Sequence, residues 1–319
     1  MPYQESPYFV TPPRCDTIWR YMSIDKFMLI LSSQTLYFPN IYKFNDKNEG
    51  TLSDKSLKEV HKTNLLNEEN TPIKQDEAFI KQKEYIAQTE KTHTKAQLTE
   101  KINTQHSFAT LLKDFSNHLM YCSCWFRKKH ESYIMWGEYG DKRHPSSIAL
   151  RTTIGDLIDS LEYADYHVHI GKVKYKDYRE EHIEGYENFE KENLNNHENV
   201  LKLFYAPILH KKKVFDDENE VRAAISMESI FENHLDRIYT SEIPFYSDRL
   251  FAEDFRYFSS NTTNLMEDVP SNGIPIRINL SKLVKTIAIS KIGWEYFQKP
   301  LLDMLENKHL SPEIIISDI

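Results

Sequence analysis

Two groups of residues in this 319-residue chain have the types and spacing to do chemistry. The first is the stretch Met135-Trp136-Gly137-Glu138-Tyr139-Gly140-Asp141. The chain holds only 8 glycines, so a pair flanking Tyr139 is informative. Glycine is kept where a bulkier residue would clash or where the backbone must turn unusually. Trp136 and Tyr139 are three apart, and on a helical turn they share one face. That face suits stacking a flat ligand or plugging a core. The second group is Glu220-Val221-Arg222, two residues apart in charge and inside a β-prone run, so Glu220 and Arg222 fall on the same strand face. The pair can be an ion pair on a sheet, or a carboxylate held by its neighbours to accept a hydrogen bond from a ligand hydroxyl. The preceding Lys211-Lys212-Lys213 and Asp216-Asp217-Glu218 set a basic and then an acidic loop at the mouth of that strand.

Other constellations are weaker. Cys122-x-Cys124, with His130 and His144 following, has the wrong spacing for the usual zinc pair, and buried structural cysteines are the simpler reading. His167-x-His169 reads as a solvent-facing pair, with metal or phosphate binding as the alternative. The phosphate-cradling G-x-x-x-x-G-K-[ST] and G-x-G-x-x-G loops are absent, and so is the G-x-S-x-G nucleophile elbow. No metal ligand set is assigned.

The elements that must position these residues follow from periodicity. Thr17–Tyr21 is β-prone. Ser23 caps a helix whose Ile24, Phe27, Met28 and Leu31 recur at helical spacing, and Leu36–Phe38 is the next strand. From Thr51 to Thr104 the composition turns polar and nearly loses aromatics, which predicts a solvated helical insertion or lid, spanning 51–118 with the amphipathic segment that follows. Strands are expected at 120–125, 147–151, 166–175, 219–226, 274–280, 286–289 and 314–316, with helices at 153–161, 193–204 and 294–307. No regular βαβ rhythm appears. The expectation is a single α+β domain over 1–319 with a mixed or antiparallel central sheet.

Composition narrows the function. With 40 basic and 48 acidic residues the net charge is -8, which speaks against broad clamping of nucleic acid. Three cysteines do not make a disulfide framework. No apolar run approaches the roughly 20 residues that span a bilayer, and no signal peptide is evident, so a cytoplasmic protein with no membrane partner is expected.

Taken in order, Arg20-Tyr21, Leu36-Tyr37-Phe38, Phe44-Asn45-Asp46 with Glu49, Cys122-Ser123-Cys124-Trp125, Met135-Trp136-x-x-Tyr139, Lys213 and Glu220-x-Arg222 resemble an uncharacterised bacterial family. It is known as a domain of unknown function and is often met in mobile or phage-defence loci. Gly273-Ile274-Pro275, Ile287–Ser290 and Ile316-Ser317 match the tail of that pattern. The chain departs from it at Lys47, where proline is usual, and at Ser123-Cys124-Trp125, where Ser-Phe-Ser is usual.

A second resemblance is to the ADP-ribosyltransferase arrangement. There a residue of the first strand anchors NAD, a middle aromatic stacks on nicotinamide, and a late glutamate bonds the ribose 2′-hydroxyl. It implies Arg20, Tyr139 and Glu220 as the catalytic set, and Arg20, Tyr21, Asn45, Trp136, Tyr139 and Arg222 around NAD. It also implies a macromolecular acceptor, protein or nucleic acid, and a co-encoded antitoxin or regulatory partner for a toxin-like or anti-phage effector. A non-catalytic sensor of a nucleotide-like ligand or phage component is the alternative. A metal-dependent nuclease using Asp46, Glu49 or Glu220 is the third reading.

Overall fold

The computed structural model describes residues 2–46, 48–60, 119–140, 147–188, 197–230 and 270–318. Most of the polar stretch 51–118, with the amphipathic segment that closes it, lies outside them, as do His144 and 231–269. Strand β1 (Thr17–Ser23) passes directly into helix α1 (Ile24–Ser33). The Ser23 side chain accepts from the Lys26 amide, which satisfies one of the orphan donors at the helix start. The helix buries Ile24, Phe27, Ile30 and Leu31 and ends at Gln34 in the left-handed region. Each buried side chain of this size contributes roughly 1.5–3 kcal/mol. Strand β2 (Thr35–Pro39) follows.

After the polar stretch come β3 (Cys122–Phe126), α2 (Tyr133–Tyr139), β4 (Ser147–Thr153) and α3 (Ile154–Ser160), the last capped by Thr153. Next are β5 (Val168–Lys172), β6 (Lys174–Lys176), α4 (His197–Tyr205), β7 (His210–Lys212), β8 (Glu220–Ile225) and α5 (Met227–Ile230). The chain closes with β9 (Gly273–Arg277), α6 (Leu280–Leu283), β10 (Thr286–Ser290), α7 (Lys291–Asn307) and β11 (Glu313–Ser317).

Seven strands form one sheet in the order β11-β10-β4-β1-β3-β8-β5. Its pairs are antiparallel except β10–β11, which run parallel through the α7 crossover. The fold is α+β with a mixed central sheet. Among the described residues strand β9 pairs with β2 alone and places Pro275 at an exposed position, where a missing amide donor costs nothing.

The two faces of the sheet differ, and the difference decides which residues can meet. On one face Ile18, Met22, Ile148, Leu150, Ile287 and Ile289 join the main core with residues of α1 and α7. On the other, Trp19, Tyr21, Phe126, Ala149 and Ala288 form a second cluster capped by Met135 and Trp136 of α2. Directly paired residues of an antiparallel sheet share a face, and successive residues alternate. The registers Trp19↔Phe126, Phe126↔Glu220 and Cys124↔Arg222 therefore put Glu220 and Arg222 on the α2 face. Among the described residues, no helix is long and apolar enough to cross a membrane.

Candidate functional site

The α2 face carries a buried cluster of opposite charges at the β8 end of the sheet. Arg222 is wholly buried; its Nε donates to Glu220 Oε1 at 2.7 Å and its Nη2 to Glu220 Oε2 at 3.1 Å. The same Nη2 donates to Glu49 Oε2 at 2.6 Å, and Nη1 to the Ile208 carbonyl at 2.7 Å. Lys211 Nζ sits among three carboxylates: Glu218 Oε2 at 2.7 Å, Glu49 Oε1 at 2.9 Å and Glu220 Oε2 at 3.4 Å. Phe44 lies 5.9 Å from the Arg222 guanidinium and Phe215 4.8 Å from the Lys211 ammonium. Aromatic faces of this kind add cation–π attraction where water is excluded.

Local structure explains how four chain segments supply these charged groups. Strand β8 brings Glu220 and Arg222 on one side through its two-residue period. Lys211 comes from β7, which pairs in parallel with β6. Between them a 3-10 turn, Lys213–Glu218, ends at Asn219 with φ 45, a left-handed position that asparagine tolerates. Asn219 is tied to Arg127 at the end of β3, its Nδ2 donating to the Arg127 carbonyl at 2.6 Å. Glu49 arrives on the turn after Asp46, its amide donating to the Asp46 carbonyl at 3.1 Å. Gly50 then turns with φ +71, where a Cβ would lie 3.1 Å from Ile41.

Tyr139, the last residue of α2, stands at the solvent side. Its ring is half exposed and its hydroxyl donates to Glu218 Oε1 at 3.2 Å. Contacts run inward from it through Glu218 and Lys211 to Glu220. Tyr175 closes the far side, its hydroxyl accepting from the Glu220 amide at 2.8 Å.

The cluster holds three carboxylates and two cations, so it carries a surplus of negative charge when all are ionised. Burial alone would raise the Glu220 carboxyl. The Arg222 and Lys211 charges, with bonds from Arg222 and the Cys124 thiol, overcome burial and hold it at about 2. Glu218 moves the opposite way: burial lifts it above the ordinary carboxylate range despite Lys211 and Tyr139. Burial opposes the Lys211 charge, yet Glu220 and Glu49 raise its pKa. Burial also raises the Tyr139 phenol. Two carboxyl groups pushed apart in this way can divide base and electrostatic roles between them.

Glu220, Arg222 and Tyr139 thus come together. Arg20 does not join them, which corrects the expected catalytic set. In β1 it alternates with Trp19 and Tyr21, so its side chain leaves the opposite face of the sheet, where it donates to Ser123 Oγ and the Tyr37 carbonyl. Nor do Trp136 and Tyr139 form one stacking wall. Trp136 is buried edge-on against Tyr21, and its Nε1 donates to Glu131 Oε2 at 3.0 Å. The Tyr21 hydroxyl accepts from the Ser132 amide inside the same aromatic cluster, which removes Tyr21 from the ligand surface. Asn45 is exposed on the bend before Asp46.

His169 is buried, with Nδ1 at 2.8 Å from the Gln4 carbonyl and its ring against Phe9 and Tyr205, so it is not half of a solvent-facing pair. Cys122 is buried in the core and His130 is exposed. No group of three His, Cys, Asp or Glu among the described residues is disposed to hold a metal ion. The residues missed from sequence as site members are Glu218, Lys211, Tyr175 and Glu49 in this role. The alternation Glu218-x-Glu220-x-Arg222 was the available signal for the first.

Comparison of the chain with protein-family models, curated proteins and solved structures gives no match.

Proposed function

We propose that the protein is an NAD-consuming ADP-ribosyltransferase of the toxin-like or anti-phage kind, with Glu220 and Glu218 as its two working carboxylates and Tyr139 as its stacking surface. The observation that carries this reading is the pairing of a carboxylate held ionised, Glu220, with one lifted by burial, Glu218, beneath the half-exposed ring of Tyr139. Breaking the nicotinamide–ribose bond sends its electron pair to the nicotinamide nitrogen and leaves positive charge on the ribose. A fixed carboxylate in a site with surplus negative charge stabilises that charge. The acceptor nucleophile then bonds to the ribose carbon, and its proton passes to Glu218 as general base.

In this reading Arg222 and Lys211 orient Glu220, and a ligand reaches it by displacing the Tyr139–Glu218 contact. Lys213, exposed beside the site, takes the anchoring part expected of Arg20. The acceptor is a protein or a nucleic acid, and a co-encoded partner restrains the enzyme. The family resemblance and the ADP-ribosyltransferase-like arrangement belong to this proposal as well.

One observation favours the second reading, a non-catalytic sensing module. Both Glu220 oxygens are already engaged by Arg222 and Lys211, as a structural ion pair would have them. The nuclease reading has no comparable support, because the Lys211 ammonium occupies the centre of the carboxylates.

The experiment is incubation with labelled NAD and cell lysate, comparing the wild type with Glu218→Gln and Glu220→Gln. Label transfer or nicotinamide release by the wild type, lost in both variants, supports the transferase. NAD binding without consumption supports the sensor. A wild type that neither binds nor consumes NAD ends both NAD readings.

A further inference from the structure

The loop from β3 into α2 is fixed through its backbone, while most of its charged side chains face solvent. It carries Arg127-Lys128-Lys129-His130, a run of basic residue types in a chain whose net charge is -8. The Arg127 amide donates to the Asn219 carbonyl at 3.1 Å, and the Arg127 carbonyl accepts from Asn219 Nδ2 at 2.6 Å. The Lys128 carbonyl accepts from Trp19 Nε1 at 2.9 Å, and the Ser132 amide donates to the Tyr21 hydroxyl at 2.9 Å. Trp19 and Tyr21 belong to the buried cluster beneath α2, so the loop is anchored in the core at both ends.

The charges of this loop are not all answered within the protein. Arg127 pairs with Asp16 at 2.9 Å. Glu131, the one acid of the loop, turns inward and accepts from Trp136 Nε1 at 3.0 Å and from Ser317 Oγ at 2.9 Å. Lys128, Lys129 and His130 are exposed, and among the described residues none has an ion-pair partner. Lys128 Nζ lies instead 5.3 Å from the Phe126 ring. Two large side chains stand open beside these cations: Tyr133 is 76% exposed and Ile134 56%. A ring left so open contributes little to the core and keeps its face for a ligand.

We propose that Lys128, Lys129 and Tyr133 form a contact surface for single-stranded nucleic acid. The two ammonium groups take backbone phosphates, and an unpaired base stacks on the Tyr133 ring. A duplex keeps its base faces stacked inside, so a ring beside cations selects the single strand. A carboxylate-rich peptide or an anionic bilayer meets the same charges, but a single strand brings a flat base with every phosphate. The patch is local, which suits a chain too acidic to clamp a polyanion along its whole surface. Asp216 and Asp217, exposed on the turn that Asn219 ties to Arg127, form its acidic border. The surface adjoins the Glu218–Glu220 site through α2, which rises about 9 Å from Tyr133 to Tyr139. It does not depend on the transferase reading, because the binding needs no NAD.

The test is fluorescence anisotropy of a short labelled oligothymidylate, titrated with the full chain over a series of salt concentrations and without NAD. The wild type is compared with Lys128→Gln, Lys129→Gln, their double variant, Tyr133→Ala and Tyr133→Phe, with thermal melts confirming that each is folded. The expected result is binding at low salt, with log K falling against log salt at a slope of about -1.4, or about 0.7 for each lysine. Each single lysine variant loses one such share of the slope. Tyr133→Ala binds about tenfold more weakly with the slope unchanged, and Tyr133→Phe, which keeps the ring, binds as the wild type does. The proposal is overturned if the wild type leaves the anisotropy unchanged at low salt, or if Tyr133→Ala or the double lysine variant binds equally well. It is overturned too if a duplex, a polyglutamate peptide or phosphatidylserine vesicles displace the strand at equal charge. Failure of this binding leaves NAD turnover untouched, and a protein that ignores NAD can still pass this test.

Discussion

Glu220→Gln is the perturbation that most directly weighs the buried cluster. The substitution keeps the shape and removes the charge. It strands neither cation: Arg222 retains Glu49 and the Ile208 carbonyl, and Lys211 retains Glu49 and Glu218. Its cost is therefore that of protonating the carboxylate in place. The carboxyl sits at about 2 against an ordinary value of 4.5. That difference of about 2.5 pH units, at 1.36 kcal/mol each, amounts to about 3 kcal/mol at neutral pH.

The sign follows from the depressed pKa. Stabilisation by Glu220 is complete above the unfolded value and is lost as pH falls toward the folded one. Urea unfolding followed by tryptophan fluorescence should give a gap between wild type and variant of about 3 kcal/mol at pH 7, narrowing to about 2 kcal/mol at pH 3.5. Arg222→Met, which strands buried carboxylates, should cost more, about 3–5 kcal/mol at pH 7. A Glu220→Gln gap under about 1 kcal/mol at pH 7, or one that does not narrow in acid, would falsify the assignment of Glu220 as an ionised centre held by Arg222 and Lys211.

Three further outcomes are expected. Burial pushes His210 down to about 4 from 6.5, so the wild type should lose about 2 kcal/mol of stability as pH falls from 7 to 5, and His210→Gln should lack that component when the two are melted side by side. Gly137→Ala meets nothing within 4 Å and should raise stability by about 0.5–1 kcal/mol, whereas a Cβ at Gly140 would overlap the Trp136 carbonyl and lie 2.5 Å from Ser147 Oγ, so Gly140→Ala should lower the melting temperature and displace Tyr139; equal melts for the two variants would contradict this. Tyr139→Phe keeps the stacking ring but removes a bond that favours the ionised form of Glu218, so the basic-side activity that needs ionised Glu218 should appear at higher pH, while Tyr139→Ala should lose turnover of NAD at every pH.

What could be read from the chain, and what could not, divides along the physics of strands. Strand existence rests on local pattern, and Glu220–Ile225, Thr286–Ser290 and Gly273–Arg277 all lie where alternation or apolar runs place them. Relative facing within one strand is local too, so Glu220 and Arg222 could be put side by side from their spacing alone. Facing between strands is different. Whether Arg20 meets Glu220 depends on the order β1-β3-β8 and on the registers Trp19↔Phe126↔Glu220. A shift of one residue in either register exchanges the faces. Chain order of an arginine, an aromatic and a glutamate carries no information about that parity.

The same limit explains the missed site members. Lys211 and Glu218 sit in a basic and then acidic run that reads as solvated surface; in the structure Lys211 is buried and Glu218 half-buried, where the left-handed turn at Asn219 ties their loop to Arg127. Glu49 is separated from Arg222 by 173 residues. The ion cluster is therefore a product of topology, and so is the separation of Arg20 from it. A cation chosen from sequence as one end of a catalytic set is placed by the sheet against Ser123 and the Tyr37 carbonyl, on the face away from Glu220.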